Sequence, residues 1–217
     1  MSLDQTLRNR LGRLLTVAED QSLLGPRLAG DATRLLGRVN HFIQMNLVGP
    51  QVDGDGLEVA CYALQLPLRQ VRGPSAGKPA RTGLRDRCEQ AAELLVSLVG
   101  GELDESLLDR AARLLHETPQ RSPMLDEARL LADAVNLDDF GMIGWVSQAI
   151  QLALTGEGVA ELAAGGEKRE QYGYWEARLK DGFHFDQVRQ IAQQRLQQAR
   201  KVNAMLVAEL TEDTKKL

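Results

Sequence analysis

Hydrophobic residues recur along most of the chain at intervals of three and four positions, the spacing that places them on one face of an α-helix. The longest such pattern forms a single apolar stripe over 185–210. The other segments with this spacing are 3–20, 30–49, 55–68, 84–101, 104–119, 122–141 and 142–156. The last of these is nearly all apolar and is predicted to lie at the centre of the core. No segment alternates with the two-residue period of a strand, so the pattern predicts an all-α protein.

The composition is that of a soluble globular protein, with 43% apolar and 26% charged residues among 217. A net charge of −4 does not favour nucleic acid or an anionic membrane as a partner. No apolar run reaches the roughly 18–20 residues that span a bilayer, and the first ten residues lack the apolar stretch of a signal peptide. Cys61 and Cys88 stand without a metal-binding or catalytic motif, so a reduced, cytoplasmic setting is expected.

The segment boundaries suggest how the chain is organised. A helix within 1–29 is expected to pack on the core, and 30–217 is expected to form one helical domain that ends in the long C-terminal helix. Asp31 and Asp104 are predicted to cap the helices that follow them, because aspartate accepts hydrogen bonds from free N–H groups at a helix start.

One loop is unusually basic. Residues 69–88 are rich in Gly, Pro and Arg and carry six cations against a single acid, Asp86. These cations are Arg69, Arg72, Lys78, Arg81, Arg85 and Arg87. Two interpretations stay open: a solvated loop, or an anion site for a nucleotide or phosphate. Because the loop has no aromatic residue to stack on bases, single-stranded nucleic acid is poorly supported as its ligand.

A second unusual stretch is "LLADAVNLDDFG" at 130–141, where three aspartates interrupt an apolar helical pattern. Asp133 lies within the pattern, whereas Asp138 and Asp139 come at its end, where they are expected to cap the next helix. His116 is the lone histidine of the preceding helix. These residues are either ligands of a metal ion or a buried carboxylate followed by two capping residues.

The same stretch resembles a known family. "EARLLADAVNLDDFG" is similar to the segment "EAKIVQDADRLDALG" of HD-domain metal-dependent phosphohydrolases, and "LLDRAARLLHETPQRSP" resembles the helix that precedes it there. The positions that match the motif are Asp133, Ala134, Leu137, Asp138 and Gly141. Val135 and Asn136 depart from it. The resemblance covers roughly residues 30–210 and implies an HD-domain-like multi-helix bundle.

The resemblance also implies a metal site, and here the chain departs from the family. Members hold a divalent ion with a histidine from an early helix, a His-Asp pair from the next core helix and a later aspartate. Arg34 and Leu35 stand where the first histidine should lie. In place of the pair stand Leu64 and Gln65 or, shifted by one residue, Gln65 and Leu66. Only Asp133 of the four ligands is retained. A divalent ion needs several N or O ligands, so the resemblance implies that the catalytic site has been lost.

Three functions follow as hypotheses. The first is an inactive HD-like domain, without a cofactor, that binds a small phosphorylated ligand or a protein partner. The second is an active phosphohydrolase whose Mn, Fe, Ni, Zn or Mg ion is held by a rebuilt set of Asp133, Asp138 and His116. The third is a structural protein that forms homo-oligomers through the C-terminal helix.

Two sets of basic residues accompany these hypotheses. Arg34 or Arg38 is expected to pair with Asp133 if that carboxylate is buried, since a buried charge needs a partner. The candidate anion-binding residues are Arg34, Arg38, Arg69, Arg72, Lys78 and Arg81.

Overall fold

The structure, a computed structural model, describes residues 4–16, 32–66, 83–99, 101 and 103–215. Throughout these residues the regular structure is helical, which confirms the predicted all-α, multi-helix fold. The helices are α1 (Gln5–Thr16), α2 (Ala32–Gln44), α3 (Gly54–Ala63), α4 (Leu84–Val99), α5 (Glu105–Glu117), α6 (Asp126–Asn136), α7 (Gly141–Leu154), α8 (Val159–Gln171), α9 (Tyr174–Asp181) and α10 (Asp186–Lys215). A 3-10 turn, Leu137–Asp139, joins α6 to α7. None of the described helices combines the length and apolar character needed to cross a membrane.

Two aspartates fix where helices begin. Asp104 caps α5 by accepting a hydrogen bond from the main-chain N–H of Ser106 at 3.0 Å, as predicted. Asp53 caps α3 in the same way, with the N–H of Gly56 at 3.0 Å. The predicted cap Asp31 lies outside the described residues. Each carboxylate satisfies an N–H that has no partner inside the helix.

The chain divides into two compact units, 1–134 and 135–217. The sequence pattern did not predict this division, and the proposed boundary near residue 30 stays a prediction. In the first unit, α3 packs against α2 and α5, and α4 packs against α5 and α3. The helix α1 packs on α3. The fully buried side chains of this unit include Leu35, Leu57, Leu95, Leu114 and Leu131.

In the second unit, α7 packs against α10 and α8, while α9 packs against α8 and α10. An aromatic cluster forms part of its core, where the Phe140 ring lies 5.3 Å from that of Phe183 and 5.2 Å from that of Trp175. The prediction that α7 lies at the centre of the core is wrong. Its side chains over 142–153 are half-buried or exposed, with Met142 and Val146 close to 40% exposed.

The helices α8 and α9 were not predicted, because their segment is short of regular apolar spacing and carries Gly165 and Gly166 within a helix. Glycine weakens a helix by about 1 kcal/mol. At position 166 a Cβ would lie 2.5 Å from the side-chain oxygen of Asn203 on α10, so any larger residue would force that side chain to move. Close packing of α8 on α10 therefore explains a residue that its own helix disfavours.

Candidate functional site

Asp133, the one retained residue of the resemblance's ligand set, is fully buried in the first unit. It lies on α6 among Leu130, Leu131 and Ala132, which are also buried. Asp133 takes part in a polar or electrostatic interaction, so it is not without a partner. A carboxylate without solvent requires such compensation, because transferring an ion out of water costs several kcal/mol.

Two arginines of α2 direct their charged groups into the same unit. The Arg38 Nη1 donates a hydrogen bond to the carbonyl oxygen of Ala134, the residue that follows Asp133. The two terminal nitrogens of Arg34 are buried from solvent. Arg34 and Arg38 are four residues apart and therefore share one face of α2.

Glu58, on α3, is a second buried acid and lies one residue after Leu57 in an apolar helix. Its two carboxylate oxygens accept hydrogen bonds from Arg8 of α1, at 2.5 Å from Nε and 2.8 Å from the second nitrogen. The pairing raises the pKa of Arg8 above its ordinary value. This two-point ion pair fastens α1 to α3.

Among the described residues, Glu117 and Glu127 are the remaining buried carboxylates. Glu117 accepts hydrogen bonds from Arg113 and from the main-chain N–H groups of Met124 and Leu125. Glu127 accepts hydrogen bonds from Arg110 at 3.0 Å and from the main-chain N–H of Asp53 at 2.8 Å. Both oxygens of Glu117 and one oxygen of Glu127 therefore already accept hydrogen bonds from neighbouring protein groups.

Gln65 stands where the resemblance places the His-Asp pair, just beyond the end of α3, and is 3% exposed. Within the described part of the chain, its side-chain amide makes no hydrogen bond at either the nitrogen or the oxygen. The preceding carbonyl, that of Leu64, accepts a hydrogen bond from Arg87 Nε at 2.9 Å. Sequence reasoning gave Gln65 no role, yet a buried amide with two unused hydrogen-bonding groups is rare in folded proteins.

The donor set does not fit a protein-held metal ion. Across the described ranges, no group of three or more His, Cys, Asp and Glu residues could hold one. His116 is exposed in the last turn of α5, whereas Asp133 has no exposed surface. Asp138 is half-buried and belongs to the second unit. The candidates proposed for a rebuilt metal site therefore differ in environment.

Asn136, at the end of α6, and Asp139 make polar contacts within the second unit. The Asn136 side chain donates to the carbonyl oxygen of Gly182 at 2.7 Å. Arg178 binds the Asp139 carboxylate at 2.5 Å. The prediction that Asp138 and Asp139 cap the next helix is wrong, because the cap position of α7 is Phe140, which makes no side-chain cap bond.

Most of the basic loop over 69–88 lies outside the described residues. The candidate residues Arg69, Arg72, Lys78 and Arg81 lie outside the described residues. Of the loop's other two cations, Arg85 is exposed at the start of α4. Arg87 is the residue that binds the Leu64 carbonyl.

Comparison with known proteins gives a fold relationship. No protein-family model matches the chain, and no curated protein matches it. Among solved structures, the chain is similar to Bacillus subtilis YpgQ, determined in complex with ADP, with a TM-score of 0.57. The match covers 96% of this chain and 97% of YpgQ, at 18% sequence identity. At this level of identity the likeness shows a common fold.

Proposed function

We propose that this protein is an HD-domain-like helical module that binds a phosphorylated small molecule of the nucleoside diphosphate class and does not hydrolyse it. The observation that carries the proposal is the state of the retained ligand Asp133. Its carboxylate is sealed in the first unit, and an arginine of α2 bonds the adjacent carbonyl of Ala134.

The residues available as metal ligands do not support hydrolysis. Metal-dependent hydrolysis needs an ion held by several ligands with an open position for water. Apart from Asp133, the described acids that are buried in the first unit form ion pairs: Glu58 with Arg8, Glu117 with Arg113 and Glu127 with Arg110. At the place of the lost pair stand an apolar side chain, Leu64, and a neutral amide, Gln65. A neutral amide neither carries charge to an ion nor removes a proton from water.

Two observations support a nucleoside diphosphate as the ligand. YpgQ, whose fold this chain shares over nearly its full length, was determined with ADP. In this chain, the buried amide of Gln65 has donors and an acceptor unused by the described residues. An amide of this kind is costly to bury without partners and suits the edge of a nucleobase or a ribose hydroxyl. The predicted cations of the 69–81 segment would neutralise phosphates.

The experiment is a thermal-shift and calorimetric titration of the purified chain with ADP, with and without Mn²⁺ or Mg²⁺. At about 100 times the dissociation constant, ADP should stabilise the protein by about 2.7 kcal/mol, which corresponds to roughly 5–10 °C for a chain of this size. The ADP should be recovered intact by chromatography after incubation with metal.

Matched variants locate the site. Gln65→Met keeps the size of the side chain and removes its hydrogen bonds, and should weaken ADP binding about tenfold. Arg72→Ala with Arg81→Ala tests the basic segment, and Arg121→Ala, an exposed arginine elsewhere, is the control. Release of AMP or adenosine, abolished by Asp133→Asn, would overturn the proposal in favour of a rebuilt metal site. No binding of ADP would overturn the ligand class.

A further inference from the structure

The second unit leaves apolar surface uncovered on two of its helices. The helix α7 has no charged residue, yet none of its side chains over 142–153 is buried. In α10 the buried side chains end at Leu196, and over 197–212 none is buried. Met142, Val146 and Met205 are exposed by 39%, 38% and 63%. An uncharged helix is normally packed against protein on most sides, so this surface indicates a missing partner.

The exposed residues of both helices lie on the same side. The helices α7 and α10 pack against each other, and both contact α8. Gln148 of α7 binds an arginine of α8, and Asn203 of α10 lies against a glycine of α8. Val146 and Met205 are each two positions from these residues, which is about 200° around a helix. Both therefore point away from α8.

These residues also lie close together along the helices. Gln148 and Asn203 meet α8 at consecutive glycines, so they are at about the same height. Val146 and Met205 are each displaced from that height by about 3 Å, on helices whose axes are about 8–10 Å apart. Met142 lies one turn before Val146 and shares its side of α7. These three residues define one apolar patch, which we call the α7–α10 face.

The charges beside this face are complementary to themselves. On α10, Lys201 lies one turn before Met205 and Glu209 lies one turn after it, and both are exposed. Neither forms an ion pair with another described residue. If two α10 helices meet antiparallel at Met205, Lys201 of each copy faces Glu209 of the other. A second copy therefore offers both an apolar surface and the opposite charges.

We propose that a second copy of this chain covers the α7–α10 face, with the two α10 helices antiparallel and the two α7 helices beside them. This gives the homo-oligomer expected from the C-terminal helix a defined surface and register. The face is two helices wide and about 20 Å long, or roughly 400 Å². Each partner in a standard interface contributes roughly 800 Å², so the dimer should be weak, with a dissociation constant of about 10–100 µM. The proposal concerns the second unit and holds whether or not the protein binds a nucleotide.

Exchange of charges tests the register. Sedimentation velocity of the full chain from about 5 to 500 µM should show a shift from monomer to dimer. Lys201→Glu and Glu209→Lys each place like charges opposite each other at two points of the symmetric dimer, and each should weaken it about tenfold. The double variant restores opposite charges and should dimerise within about threefold of wild type. Glu167→Lys, at an exposed position of α8, is the matched control and should leave the dimer unchanged.

Disulfide cross-linking tests the direction of the helices. Cys61 and Cys88 are buried, so mild oxidation should act on introduced thiols. A mixture of Lys201→Cys and Glu209→Cys chains should form a disulfide between the two variants, whereas either variant alone should not. Disulfides in each variant alone, with none across the mixture, would refute the antiparallel arrangement. A chain that stays monomeric at about 500 µM, or a double charge variant that dimerises as weakly as the single ones, would overturn the proposal.

Discussion

Glu127, at the start of α6, accepts a hydrogen bond at 2.8 Å from the main-chain N–H of Asp53, the cap residue of α3. The same carboxylate oxygen binds Arg110 of α5. Three helices of the first unit therefore meet at one buried acid. We expect Glu127→Ala to lower the free energy of unfolding by about 3 kcal/mol, since it leaves the main-chain N–H of Asp53 without an acceptor and removes one of the two carboxylates that pair with Arg110. Urea denaturation followed by circular dichroism measures this loss.

The control for this prediction is Glu89→Ala, which removes an exposed carboxylate from α4. The free energy of unfolding of this variant should lie within about 0.5 kcal/mol of the wild-type value. If both variants lose the same stability, the effect belongs to glutamate removal in general and not to the junction of α3, α5 and α6.

Glu117 should make stability depend on pH in the acid range. Burial alone would raise the pKa of Glu117, but the N–H groups of Leu125 and Met124 and the guanidinium of Arg113 together lower it. A carboxyl whose pKa is lowered by folding contributes stability above its unfolded pKa of about 4.3, and loses that contribution as pH falls through the folded value. Glu117→Gln should therefore cost about 2 kcal/mol at neutral pH and progressively less below about pH 4.

The measurement is the difference in unfolding free energy between wild type and Glu117→Gln at several pH values from 7 to 3. Glu93→Gln, at an exposed position of α4, serves as the control. A difference that is as large at pH 3 as at pH 7 would contradict the assigned charge of Glu117.

Two glycines should respond to alanine in opposite ways. At Gly144 in α7, a Cβ would lie 2.2 Å from the main-chain oxygen of Asp139, so Gly144→Ala forces the backbone to move and should cost about 3 kcal/mol. At Gly37 in α2, no atom lies within 4 Å of such a Cβ, so Gly37→Ala should stabilise the protein by about 0.5–1 kcal/mol. Thermal unfolding of the two variants measures the contrast, and equal effects would contradict it.

The sequence predicted the features that depend on local order. Apolar spacing predicted eight helical segments, and the residue type at Asp104 predicted its cap. The burial of Asp133 was foreseeable because it interrupts an apolar helical face. Glu58 offered a comparable signal, a lone acid between Leu57 and Val59, which was missed.

The features that escaped prediction depend on contacts between distant parts of the chain. Arg38 and Ala134 are 96 positions apart, and Glu127 and Asp53 are 74 apart. The spacing of hydrophobic residues along the chain does not indicate which distant residues will be in contact. The helix α8 is another case. Gly166 disfavours a helix on its own, and its contact with Asn203 of α10 cannot be read from the local sequence. Asp139 was assigned to a cap because of its place in the sequence, whereas Arg178 determines its role.

The two cysteines should be chemically inert while the protein is folded. Burial raises the pKa of both thiols, that of Cys88 to about 12. The thiolate is the form that reacts, and at pH 8 a thiol of that pKa is ionised in only about one molecule in ten thousand. Cys61 and Cys88 should therefore resist iodoacetamide for hours under native conditions, and both should react after unfolding in urea. The variant Val96→Cys, at a position 52% exposed on α4, provides a matched thiol that should be alkylated within minutes. Intact-mass spectrometry counts the adducts, and native alkylation of Cys61 or Cys88 at the rate of the exposed thiol would show that the first unit opens readily around α3 and α4.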